Sequence, residues 1–264
     1  MNRRDFVAGA AASLAAAAAA QAEAGAQRER GRQYYELRQI AFANADTMAR
    51  YAGFLGESWA PAAKRAGVGP VGIFSAADKP DELMVYVLSA YPSVESYLSA
   101  ESRMLADAEY TKSGAAVLDL PATDPPFAHA ESSLMLAFEK WPMLKPPREA
   151  ASNGPRVFEL RTYESHSRKA NRKKIEMFNA GEIGIFDRAG FQPVFFGETL
   201  AGPQIPNLTY MVTYPSIPER GSFWQKFLAD PEKTRLFAIP EYADKLIVSK
   251  IRSVYLKPLP GSQI

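Results

Sequence analysis

The chain matches itself when displaced by 123 residues. Tyr35-Glu36-Leu37-Arg38 falls on Phe158-Glu159-Leu160-Arg161, Ala66-Gly67 on Ala189-Gly190, Tyr91-Pro92-Ser93 on Tyr214-Pro215-Ser216, and Asp107 with Glu109 on Asp230 with Glu232. The offset is the same each time (158 − 35, 189 − 66, 214 − 91, 230 − 107), so the register holds through the repeat. A self-match at fixed register marks a repeated supersecondary unit. Two equivalent units in one chain are expected to build one pseudo-symmetric body, and positions where the copies differ become candidates for function.

The first residues carry an address. Arg3 and Arg4 precede a run of alanines with Leu14, then the small-x-small sites Ala20-Gln21-Ala22 and Ala22-Glu23-Ala24. Paired arginines, a mildly apolar stretch and such a site form a twin-arginine export signal over residues 1–24. The stretch is too short and too weakly apolar to span a bilayer. The expectation is a periplasmic or secreted protein of about 240 residues, with no membrane span after signal removal. There is no cysteine, which excludes disulfides, thiolate chemistry and cysteine metal sites. A net charge of +2 over the whole chain, Arg3 and Arg4 included, makes no electrostatic case for nucleic acid. The one basic cluster, Arg168, Lys169, Arg172, Lys173 and Lys174, reads as a solvated helix face.

Each copy has the same predicted order. In the first, residues 33–40 alternate as a half-buried strand, with Tyr35, Leu37 and Gln39 on one face and Tyr34, Glu36, Arg38 and Ile40 on the other. A helix follows whose Met48, Ala52, Leu55, Trp59, Ala62 and Ala66 form an apolar stripe ending at Gly67. Strands over 71–74 and 83–91, a helical stretch over 93–118 and a strand over 134–138 complete a βαββαβ unit. The second copy repeats it: strand 157–163, helix 169–189, strands 192–196 and 207–214, helical region 216–245 and strand 250–256. Residues 140–156, with Pro142, Pro146, Pro147 and Pro155, read as a linker. The expected plan is a tail (25–32), a ferredoxin-like repeat (33–139), the linker, a second repeat (157–258) and a tail (259–264). The fold class is α+β: two fused ferredoxin-like repeats whose sheets bury their bare faces against each other in a pseudo-two-fold barrel.

Phe158-Glu159-Leu160-Arg161-Thr162-Tyr163, then Arg188-Ala189-Gly190-Phe191, Tyr214-Pro215-Ser216, and Phe223-Trp224 through Asp230-Pro231-Glu232 resemble the NIPSNAP family in order and spacing. Where the family often carries Trp after Asp-Pro-Glu, this chain has Lys233. The resemblance implies the dimeric α+β barrel superfamily. It brings little chemistry, because NIPSNAP domains have no generally established activity.

The Glu36/Arg38 and Glu159/Arg161 pairs are the sharpest polar feature. If helices cover the leucine face, the pairs point between the sheets, either as an ion-pair network stapling the halves or as a site for a ligand carboxylate. Tyr210, Tyr214 and Trp224 join them as ligand-binding candidates, since an apolar ligand would sit between sheet and helices. Tyr86, Tyr91, Phe195 and Phe196 are expected mainly in the core. Glu182 takes the position of Trp59 in a stripe otherwise made by Ile175, Phe178, Ile185 and Ala189. Facing a pocket it is a general-base candidate; if the helix rotates so that Ile183 and Phe186 turn inward, it meets solvent. The rotated arrangement is the leading expectation. His166 is the second catalytic candidate. With His129 it completes the histidines, so no metal site is expected, and a single axial histidine is all the sequence offers a haem. No cofactor is expected. Gly67-Val68-Gly69-Pro70-Val71-Gly72 satisfies a dinucleotide pattern, but follows a helix and precedes a strand, the wrong order for pyrophosphate binding.

The leading reading is an exported small-molecule-binding or protein-interaction module, with a small apolar or carboxylate ligand and a homo-oligomer among the partners. The rival is a cofactor-independent monooxygenase or isomerase acting on an aromatic or enolisable substrate, with Glu182 or His166 as base and Tyr214 or Arg161 stabilising an oxyanion.

Overall fold

The computed structural model describes residues 31–264. The expected export signal and most of the first tail lie outside the described residues.

Eight strands form one closed antiparallel barrel: β1 (Tyr34–Ala41), β2 (Val71–Ala76), β3 (Met84–Tyr91), β4 (His129–Ala137), β5 (Val157–Glu164), β6 (Gln192–Ala201), β7 (Asn207–Tyr214) and β8 (Lys250–Pro258), in the order β1-β3-β2-β8-β5-β7-β6-β4. Each half supplies four neighbouring strands. The seams between halves are β2 with β8 and β4 with β6. Closure leaves no open sheet edge in the barrel. Its interior is filled with apolar side chains: Tyr35, Phe74, Leu88, Met135, Phe158, Phe195 and Met211 are buried there with Leu37 and Leu160.

The helices lie outside, one layer per half. In the first half α1 (Ala45–Phe54) passes through a π turn, Leu55–Trp59, into α2 (Ala60–Arg65); α3 (Val94–Leu105) and α4 (Ala108–Leu118) follow β3. The linker contains the short helix α5 (Arg148–Ser152), which starts directly after Pro147. In the second half α6 (Arg168–Met177) runs through the π turn Phe178–Glu182 into α7 (Ile183–Arg188). α8 (Arg220–Ala229), α9 (Pro231–Phe237) and α10 (Asp244–Ile247) follow β7. The two π turns occupy positions 123 residues apart (178 − 55), as the self-match requires.

The matched residues do matched work. Gly67 and Gly190, at φ +75° and +87°, end the helices in the left-handed conformation that glycine adopts without strain. Asp107 accepts from the backbone N–H groups of Glu109 and Tyr110 at 2.9 and 3.2 Å, capping α4, and Asp230 caps α9 through Glu232 N–H at 2.8 Å. An arginine from an earlier helix, the last residue of α2 or α7, completes each cap, Arg65 Nε to Asp107 at 2.6 Å and Arg188 Nε to Asp230 at 2.8 Å. Loss of such a cap unsatisfies helix N–H donors, so Asp230→Ala should lower the thermal midpoint by about 2–4 °C. A scanning-calorimetry trace unchanged in midpoint would remove the cap from the stabilising set.

Candidate functional site

Strand β1 places Glu36 and Arg38 on one face and Tyr35 and Leu37 on the other. The face that turns into the barrel is the leucine face. The charged pairs therefore sit between sheet and helices rather than between the two sheets, which reverses the expected orientation. The physical reason lies in the partners: the barrel interior is packed with apolar side chains, while the helix side supplies hydroxyls and tryptophan. Nor do the pairs staple the halves. Every hydrogen-bond partner of Glu36 and Glu159 lies in its own half, and strand pairing joins the halves instead.

In the first half, Glu36 accepts from Tyr91 Oη at 3.0 Å and from Ser132 Oγ at 2.8 Å. Burial, then the Glu36 charge, pushes the Tyr91 phenol well above its ordinary range, so it stays a donor. Arg38 is 3.7 Å from Glu36, with its guanidinium over the Trp59 ring at 4.5 Å. Its Nε and Nη2 are buried without a hydrogen-bond partner. A cavity of about 610 Å³ opens beside this group, between β1 and helices α1, α3 and α4. Tyr51, Phe54, Trp59, Tyr97, Met104, Tyr110 and Phe127 line it around Glu36 and Arg38, with Glu101.

In the second half the same pair is closed over. Glu159 is fully buried and saturated. Arg161 Nη1 donates to it at 2.5 Å, Ser253 Oγ at 3.1 Å, and Arg220 forks onto it at 2.8 and 3.0 Å. Tyr214 Oη donates to it, and Trp224 Nε1 does so at 3.3 Å. Burial alone would raise this carboxyl, but the Arg220 hydrogen bonds and the Arg161 charge win and hold it down at about 2. The Arg161 guanidinium lies 4.8 Å from the Trp224 ring and donates to Tyr163 Oη at 3.2 Å, which in turn meets Tyr210 Oη at 3.0 Å.

The two halves differ at a few matched positions. Arg220 and Trp224 correspond to Tyr97 and Glu101, and Tyr163 to Ile40, at the offset of 123 (220 − 97, 224 − 101, 163 − 40). The second half fills its space with a guanidinium and an indole, and the first leaves that space open. The sequence reading compared the copies at Glu182 alone. The same comparison carried along the chain would have singled out Arg220, which it missed, and the contrast between Tyr97 and Arg220.

Glu182 is buried, at 3% exposure, together with Ile183 and Phe186, so the expected rotation toward solvent does not occur. The π turn changes the helix register, and Lys174 rather than Ile175 takes the inward place. Lys174, read from sequence as part of a solvated face, is 1% exposed and lies 3.2 Å from both Glu182 and Asp244. Burial pushes the Glu182 carboxyl up, and Lys174 offsets part of that shift. At the matched positions the first half holds Tyr51 and Trp59 (174 − 51, 182 − 59), both lining the cavity. His166 is exposed on the turn leaving β5, while Tyr210 is fully buried among aromatic rings. Glu182 is committed to Lys174, and Tyr214 and Arg161 to Glu159. Among the described residues, Glu182, His166, Tyr214 and Arg161 are not brought together as unpartnered groups. Among the described residues no group of three or more His, Asp or Glu side chains is placed to hold a metal ion, and no helix is long and apolar enough to cross a membrane.

Residues 158–263 match the model of the NIPSNAP family. No curated protein is significantly similar to the chain. A solved structure from Fusobacterium nucleatum, described as a "putative monooxygenase", superposes with a TM-score of 0.58 at 10% identity, over 86% of this chain and 93% of that one. Another so described, from Lactobacillus acidophilus, gives 0.55 at 11% identity over 87% and 97%. A NIPSNAP-like domain protein from Burkholderia xenovorans aligns with 39% of this chain and 85% of its own, at 17% identity and a TM-score of 0.35. At 10–11% identity the first two speak to fold alone. By these comparisons the chain shares its α+β barrel fold with the first two structures over 86–87% of its length, and residues 158–263 are matched as a NIPSNAP domain.

Proposed function

We propose that the chain is an exported, internally duplicated NIPSNAP protein that binds a small molecule in its first half. The observation that carries this reading is the cavity of about 610 Å³ beside Glu36 and Arg38, at the place where the second half is filled by its own side chains. Cavities of this size, mostly apolar with a few converging polar groups, are the ordinary form of a ligand site. The second half then serves as a rigid partner in the barrel. Its Glu159 network leaves no room for a ligand. The paired arginines and small-x-small sites of residues 1–24 support the export part of the proposal.

The double substitution Tyr97→Arg/Glu101→Trp tests the site. It writes the second half's filling residues into the first, on a helix face that is partly or fully exposed. Native mass spectrometry of the processed protein from its own host should show a small-molecule adduct that denaturation releases. The double variant should lack it while keeping its thermal midpoint. An adduct retained by the double variant places the ligand elsewhere, and a wild-type protein that is always bare removes the reading. The same spectrum shows whether residues 1–24 have been cleaved.

A further inference from the structure

We infer that the ligand of the first-half cavity is an aromatic cation: a planar ring system bearing an amidinium, guanidinium or ammonium group. The inference rests on the cavity being the ligand site. Its source is the contrast between the halves. In the second half, two groups without a chemical counterpart in the first take the place beside the carboxylate, the Arg220 guanidinium and the Trp224 indole. The guanidinium forks onto Glu159 and lies 5.5 Å from the Trp224 ring, while the indole covers Arg161 at 4.8 Å. That half shows what this site accepts. Two cations share one carboxylate, and an aromatic plane lies against both.

The first half keeps the receiving groups and lacks the filling ones. Glu36 stands where Glu159 does, yet its direct donors are the hydroxyls of Tyr91 and Ser132, with Arg38 withdrawn to 3.7 Å and stacked on Trp59. A carboxylate has about four acceptor directions, so Glu36 retains capacity for a charged donor. The charge count points the same way. Glu36 and Glu101 line the cavity against the single cation Arg38, one negative charge in excess, whereas Arg161 and Arg220 oppose Glu159 in the second half. An anionic ligand would double that excess. A monocation cancels it. The aromatic component follows from the walls: Tyr51, Trp59, Tyr97 and Phe127 line the cavity, and aromatic rings attract both flat apolar surfaces and cations.

Three probes of one shape separate the cases: 2-naphthamidine, 2-naphthamide and 2-naphthoate, titrated calorimetrically into the full processed chain at neutral pH. The amidine should bind at least ten-fold more tightly than the amide, as expected for a charge-assisted hydrogen bond over a neutral one, and the naphthoate should bind most weakly. Glu36→Gln should reduce the amidine's advantage to within about three-fold of the amide. If that variant does not fold, exposed Glu101→Gln is the second test and should reduce the advantage by a smaller factor, about two- to three-fold, because its charge lies at the cavity's rim. Tyr97→Arg/Glu101→Trp should abolish binding of all three. Equal binding of amide and amidine, or tightest binding by the naphthoate, would overturn the inference and leave the cavity as the ligand site. Failure of all three probes to bind wild type, with a native adduct still present, overturns the aromatic cation alone. Failure with no adduct removes both readings.

Discussion

Replacing Glu159 by Gln should destabilise the protein at neutral pH by about 3–5 kcal/mol, read from the urea midpoint. The carboxylate is fully buried and holds Arg161, Arg220, Tyr214, Ser253 and Trp224 together. Arg220, at 31% exposure, can turn to water once its partner is neutral. Arg161, at 12%, cannot, and is left with Ser253 and Tyr163 as its polar partners. The stranded guanidinium accounts for most of the loss. A cost below about 1 kcal/mol would show that the network only decorates a core held by other contacts.

The same residue sets a pH dependence with a definite sign. Its carboxyl is held at about 2 in the folded chain against an ordinary 4.5. A depressed folded value means that the unfolded chain takes up the proton first. The stabilisation is therefore complete above pH 4.5 and drains away as pH falls toward 2, by about 3 kcal/mol from this residue. Glu159→Gln should lack that component, so the gap between wild type and variant should narrow on acidification. A gap that stays constant from pH 6 to pH 2.5 would mean that Glu159 is not the titrating group.

Much of the fold is legible in the sequence because one physical signal repeats. Strand alternation, the left-handed glycines and the Asp caps recur at the same offset, and each is a local rule that the chain obeys twice. The facing of β1 is not legible in the same way. Both of its faces mix apolar and polar residues, Tyr35, Leu37 and Gln39 against Tyr34, Glu36, Arg38 and Ile40, so alternation fixes which residues travel together but not which set goes inside. The groups that decide the question, Tyr91 and Ser132 in one half and Tyr214, Arg220, Trp224 and Ser253 in the other, come from distant segments. The inward place of Lys174 was hidden for a different reason. A strict 3.6-residue stripe puts Ile175 inside, but the π turn at Phe178–Glu182 shifts the helix face by part of a turn and brings in Lys174 and Glu182 together. Of the candidate ligand residues, Glu36 and Arg38 line the open cavity. Their counterparts Glu159 and Arg161 are sealed with Tyr214 and Trp224, and Tyr210 joins the adjoining aromatic core.

The Lys174–Glu182 pair yields the other large expected effect, and it separates stability from pairing. Lys174→Met alone should cost about 3–5 kcal/mol, because it leaves the Glu182 carboxylate buried without its cation. Asp244, half-exposed at the rim, loses its contact with Lys174 too but stays hydrated, so it adds little. Adding Glu182→Leu to Lys174→Met removes the stranded charge. The double variant should recover to within about 1–2 kcal/mol of wild type, since well-packed apolar side chains often replace a buried ion pair at no net cost. The first half is the natural precedent, holding Tyr51 and Trp59 at these positions around the same π turn. A double-mutant cycle in urea gives the coupling directly. Strong coupling with recovery identifies the pair as a self-contained substitution for two aromatics. A double variant as unstable as Lys174→Met would mean that Glu182 is held by groups other than Lys174. The attraction of Arg161 also acts on the Glu182 carboxyl, and the pair would then belong to the Glu159 network rather than stand beside it.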